Sequence, residues 1–91
     1  MLKIAIRRVV GDSMLPDLGS NDLILVIKTK NFKIDDVVGF IHKKKTLLKR
    51  ISQVSNGKYF ILGDNEANSL DSRKLGWINA DQVVFKLIRK I

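Results

Sequence analysis

Apolar and polar residues alternate along much of the chain, with Leu2, Ile4 and Ile6 set against Lys3 and Arg7, and Val83, Phe85 and Leu87 against Lys86. A period of two sends successive side chains to opposite faces of an extended backbone, so the pattern predicts half-buried β-strands. Further strands are predicted over 22–28, 36–42, 46–54 and 58–62, which are rich in Val, Ile, Leu and Phe and bounded by turn residues. Asn56-Gly57 predicts a type I′ hairpin between the last two, because both central positions of that turn need positive φ. The expected fold class is all-β, a small twisted sheet assembly.

Two irregular stretches interrupt the strands, Gly11 to Asn21 and Gly63 to Leu75, both dense in Gly, Asp, Asn and Ser. Loops of this kind on a rigid sheet are where chemistry usually sits. At 91 residues the chain fits one domain, 1–91, with a thin core. The absence of cysteine excludes disulfides, thiol nucleophiles and cysteine-based zinc sites. The longest apolar run, Leu23-Ile24-Leu25-Val26-Ile27, is far too short to span a bilayer. A net charge of +8 favours anionic partners, lipid or nucleic acid. The basic residues are dispersed and lack interleaved aromatics, so no specific nucleic-acid partner is expected.

Ser13 follows the apolar Val9-Val10 in Gly11-Asp12-Ser13-Met14-Leu15-Pro16, which presents it at a strand end, and Gly11 lets backbone approach a ligand there. Alone it reads as a turn serine and needs a base to become a nucleophile. The one histidine, His42, precedes three lysines at a hairpin end and reads as a solvated imidazole, so a Ser-His-Asp arrangement is disfavoured. A lysine kept neutral by burial is the other partner open to serine. In Leu47-Leu48-Lys49-Arg50-Ile51 the alternation places Lys49 on the face of Leu47 and Ile51, with Arg50 opposite. Alone, Lys49 also reads as an edge-strand charge that discourages aggregation. In the second loop Ser69 is a candidate to hold the lysine amine, and Asp71 with Arg73 to fix the loop's shape; as a bland turn the last two form a surface pair.

Three segments in this order resemble the bacterial signal peptidase I family. Gly11 to Leu18 is similar to its Ser-Met-x-Pro-Thr-Leu box, Leu48-Lys49-Arg50-Ile51 to its Lys-Arg-Val box, and Gly63 to Arg73 to its Gly-Asp-Asn…Ser-x-Asp-Ser-Arg box. Asp22-Leu23-Ile24-Leu25-Val26 and Asp36-Val37-Val38-Gly39-Phe40 resemble the family's two Gly-Asp-led strands, with Asn21 and Asp35 in place of the glycines. Both residue types tolerate left-handed backbone. Asp17 stands where the family's first box has threonine.

The resemblance implies a catalytic core shared with self-cleaving repressors, in which Ser13 attacks the peptide carbonyl, Lys49 takes its proton and Ser69 orients Lys49. It further implies an oxyanion hole at the Ser13 amide beside Gly11, and shallow pockets for small apolar side chains to which Met14 and Leu48 contribute. No metal or organic cofactor is implied. The implied partner is a protein substrate with an N-terminal signal or pro-segment, bound extended beside the strand carrying Lys49. Peripheral contact with an anionic membrane is expected, with a cytoplasmic location as the alternative; the oligomeric state is left open. The 91 residues contain neither the family's membrane anchor nor the insertion many members carry before the Gly-Asp-Asn box, and in compactness resemble the proteases that mature nickel-dependent superoxide dismutase. A self-cleaving repressor module, a basic nucleic-acid-binding module and an inactive family member are the alternatives.

Overall fold

The alternating segments form strands β1 (Lys3–Arg8), β2 (Leu23–Lys28), β3 (Val37–His42), β4 (Lys45–Ser55) and β5 (Lys58–Leu62), followed by β6 (Ile78–Asn79) and β7 (Val83–Lys90). The computed structural model describes residues 3–91, the side chain of Asn68 excepted; Leu2, at the start of the predicted first strand, lies outside them. The strands pair antiparallel in the order β1-β2-β7-β3-β4-β5-β6, so the architecture is all-β. One helical turn, α1 (Ser72–Leu75), lies in the second loop.

Local chemistry explains the turns. Asn56 and Gly57 adopt φ of 50° and 73°, the doubly left-handed geometry of the predicted hairpin. Asn21 and Asp35, at φ of 75° and 76°, take the positions where glycine was the expected residue, and their short polar side chains make that conformation tolerable. The β3–β4 turn places Lys43 and Lys44 at φ of 49° and 66°, a strained choice for lysine that no turn signal announces.

Burial divides into two clusters. Val9, Met14, Leu18, Ile24, Val26, Val37 and Phe85 pack as one, and Val38, Phe40, Ile51, Tyr59, Ile61, Ile78 and Val83 as the other. Gly39 sits opposite Phe85 in the β3–β7 register, and any Cβ there would run into the Phe85 ring; a bare backbone leaves room for the far end of the ring. Met14 is therefore a core residue, 1% exposed. Its side chain packs in the first cluster with Val9, Leu18 and Phe85.

Candidate active site

The site lies where the two loops meet β4. Lys49 faces the same way as Leu47 and Ile51, as the alternation requires, and is 2% exposed. Its Nζ lies 2.6 Å from Ser13 Oγ, a hydrogen bond joining residues 36 positions apart. Burial is the main cause that lowers the Lys49 pKa from the ordinary lysine value; the negative charge of Asp71 opposes the shift, and the positive charge of Arg73 adds to it. The edge-charge reading of Lys49 is thereby replaced, because the side chain points inward.

The loop bearing Ser13 starts at Gly11, whose φ of +88° suits glycine and whose missing Cβ leaves open space. Asn65 then clamps it: its backbone N–H donates to the Ser13 carbonyl at 2.8 Å, and its Nδ2 donates to the Asp12 carbonyl at 3.0 Å. The Asp12 carbonyl also accepts from Leu15 N at 3.2 Å. Because a trans peptide points its C=O and N–H in opposite directions, fixing the Asp12 carbonyl toward Asn65 turns the Ser13 N–H away from it. Gly63 makes this closeness feasible, since a Cβ there would collide with the Ser69 hydroxyl and lie 2.8 Å from the Ser13 carbonyl oxygen.

Asp71 organises the second loop from within. It is fully buried and accepts hydrogen bonds from Gly63 N at 2.8 Å, Ser69 Oγ at 2.9 Å, Arg73 N and Nε at 3.1 Å each, and Arg73 Nη2. Ser72 is also buried, and its Oγ accepts from Ile61 N at 2.8 Å. These two side chains satisfy the edge of β5 beyond its short pairing with β6, where no strand does so among the described residues. Asp71 is thus the hub of the loop, in place of the surface pair a bland turn would make.

Ser69 stands differently from expectation. Its hydroxyl donates to Asp71, and no hydrogen bond joins it to Lys49 among the described residues. Asp71 is the group between them: it holds Ser69 and supplies the charge that acts on Lys49. Leu48 packs on the first core cluster and lines a surface groove. His42 ends β3 and pairs with Lys45, four residues along β4 from Lys49, or about 13 Å at the strand rise.

Arg50 was read only as facing away from Lys49. Its guanidinium donates to Asp64 at 2.9 and 2.8 Å, to Asp17 at 2.9 Å and to the Asp35 carbonyl at 3.1 Å. It ties the Ser13 loop, the Lys49 strand and the second loop together, and the aspartate at the threonine position of the first box supplies one of the ties. Only the adjacency of Arg50 to Lys49 could have signalled this from sequence. Among the described residues no three His, Asp or Glu side chains converge so as to hold a metal ion, and no helix is long and apolar enough to cross a membrane.

The Asp71 network has a measurable consequence at acid pH. Burial alone would raise the Asp71 pKa, but the hydrogen bonds from Arg73, Gly63 and Ser69 override it and hold the carboxyl well below the usual carboxylate range. The stability this confers is complete above the unfolded value of about 3.9 and is lost as pH falls toward the folded value. Asp71→Asn should therefore cost about 2–4 kcal/mol in urea unfolding at pH 7. The gap should narrow as pH falls below about 4; a gap as wide at pH 2 as at pH 7 would mean the carboxylate charge is not what stabilises the loop.

Comparison with known proteins gives matches of one kind. The family model described as signal peptidase, peptidase S26, matches residues 41–89. The chain is 38% identical over 63 residues to Signal peptidase I of Buchnera aphidicola subsp. Schizaphis graminum (strain Sg), covering 69% of this chain and 19% of that protein. To Signal peptidase I of Buchnera aphidicola subsp. Baizongia pistaciae (strain Bp) it is 34% identical over 82 residues, covering 76% of this chain and 26% of that protein. The matched region thus spans about a fifth to a quarter of the length of these relatives.

Proposed function

Since the chain belongs to the signal peptidase S26 family, we propose that it is a signal-peptidase-like serine endopeptidase that removes an N-terminal signal or pro-segment from a protein, with Ser13 and Lys49 as its catalytic pair. The observation that carries this reading is the 2.6 Å contact between Ser13 Oγ and a Lys49 amine that is almost wholly buried. A lysine without its proton is a base that serine otherwise lacks in this site.

In the proposed reaction neutral Lys49 takes the Ser13 hydroxyl proton as Oγ attacks the scissile carbonyl carbon. The carbonyl oxygen becomes an oxyanion, for which the Ser13 N–H, turned away from Asn65, is the candidate donor. Collapse of the intermediate breaks the C–N bond, Lys49 returns the proton to the departing amine, and an acyl ester remains on Ser13. Water, deprotonated by Lys49, then cleaves that ester and regenerates the hydroxyl.

The ester is the species to look for. A peptide ester mixed with enzyme and quenched in acid within one turnover should leave its acyl group on the fragment containing Ser13, read by peptide mass mapping. Label on another residue, or cleavage with no acylated fragment at any quench time, would contradict the covalent route.

A further inference from the structure

A groove of about 530 Å³ runs along β1, between that strand and residues of β3, β4 and β7. Val10 and Leu48 are among its lining residues, the first three residues before Ser13 and the second next to Lys49 in the chain. Its apolar floor includes Val26 and Phe85, and its walls carry four cations, Lys3, Arg7, Arg8 and Lys28. No acidic residue lines it.

These cations are poorly explained by the fold. Lys3 and Lys28 are direct partners in the β1–β2 register, and like charges placed opposite one another destabilise a sheet. None of the four is ion-paired among the described residues, where Asp22, Asp36, Asp64, Glu66 and Asp71 all pair with other cations. Arg7 and Arg8 make only long bonds to backbone carbonyls, at 3.5 and 3.3 Å. The stretches 1–11 and 37–63, which supply most of the groove, contain no Asp or Glu.

Strand edges are open beside it. β1 is an edge strand. β4 pairs with β5 only from Arg50 onward, leaving its Lys45–Lys49 segment bonded to β3 on one side alone. Two free edges around an elongated groove suit an extended chain that adds as a strand. A flat lipid surface would touch the protruding side chains and leave the floor of the groove empty.

We infer that this groove selects an extended substrate segment carrying acidic side chains a few residues from the cleaved bond, read by Lys3, Arg7, Arg8 and Lys28. The inference rests on the peptidase reading for its placement and adds the chemistry of the substrate. From Lys3 to Arg8 the strand covers about 17 Å, so acids about three to six residues from the bond would meet the cations.

Binding to Ser13→Ala protein tests this without turnover, using fluorescent alanine-rich peptides that carry a Glu-Glu, Gln-Gln or Lys-Lys pair in that interval on either side of the central bond. In one of the two placements the Glu peptide should bind about three- to tenfold more tightly than the Gln peptide, with Lys weakest. The ratio should shrink as salt rises. Adding Lys3→Gln and Arg7→Gln should bring it close to one, whereas Lys58→Gln, on the remote hairpin, should leave it intact. Equal affinity for Glu and Gln peptides in both placements, a ratio indifferent to Lys3 and Arg7, or displacement of bound peptide by phosphatidylglycerol vesicles would overturn the assignment. A preference for Glu in binding with no cleavage of any peptide by the wild-type protein would sink the peptidase reading and leave the groove's selectivity standing.

Discussion

Lys49→Met protein is expected to be inactive and yet more stable than the wild type. Methionine matches the length of the lysine stem and fills the site between the strand and the two loops, but it can accept no proton from Ser13. Members of a catalytic unit act together, so the loss in kcat/KM should be at least about 10⁴-fold. Stability should move the other way, because the wild type holds an amine in a site that disfavours its charge. The unfolded chain keeps the lysine proton up to about pH 10.4, while the folded chain releases it earlier. Between those values the unfolded state binds more protons, so wild-type stability rises with pH. The advantage of Lys49→Met should therefore be widest below the folded pKa, on the order of 1 kcal/mol, and narrow toward pH 10. A purely structural lysine would give the opposite sign, with Lys49→Met less stable at every pH. Lys49→Arg completes the comparison, since its guanidinium stays charged and should also be inactive.

Ser13→Ala should remove activity to the same degree while leaving substrate affinity close to that of the wild type. Ser13 is partly buried and its hydroxyl is hydrogen-bonded to Lys49, whereas the loop is held through backbone carbonyls of Asp12 and Ser13 by Asn65, and Arg50 holds Asp17. None of those ties involves the Ser13 side chain. Thermal and urea unfolding should accordingly shift by no more than about 1 kcal/mol. The double variant Ser13→Ala/Lys49→Met should be no slower than either single one, because each change already removes the whole unit. Substantial cleavage by pure Ser13→Ala protein would take the serine out of the mechanism.

The inward lysine was legible in the sequence because strand alternation is a local rule. Leu47, Lys49 and Ile51 must share a face whatever the rest of the chain does, and the Asn56-Gly57 turn declares its own geometry. The Lys43-Lys44 turn was hidden for the converse reason: the neighbouring strands impose a left-handed backbone on residues that do not prefer it. β6, with two residues, and α1, with four, are too short for any period to be seen.

The same distinction governs the site. The partnership of Ser13 and Lys49 joined two local readings through a family resemblance. The wiring around it depends on contacts distant in sequence, such as Asn65 on the Ser13 loop and Arg50 between Asp17 and Asp64. Asp71 shows why such wiring is hard to foresee. A carboxylate in a polar loop reads as surface, and only the convergence of Gly63, Ser69 and Arg73 makes its burial tolerable. Ser69, expected at Lys49, donates to Asp71, and Met14 packs among the core residues of the first cluster. In each case the motif gave the neighbourhood, and packing chose the partner.

The central claim is that Lys49 serves as a neutral base to Ser13, and the pH dependence of kcat/KM for cleavage of one unchanging peptide tests it most directly. The burial-lowered pKa of Lys49 predicts a rate that rises with pH along a single ionisation lying above that of an ordinary histidine and below the free-lysine value of about 10.4. A profile that is flat from about pH 6 to 10, or one that levels off at the ionisation of an ordinary histidine near 6.5, would contradict it.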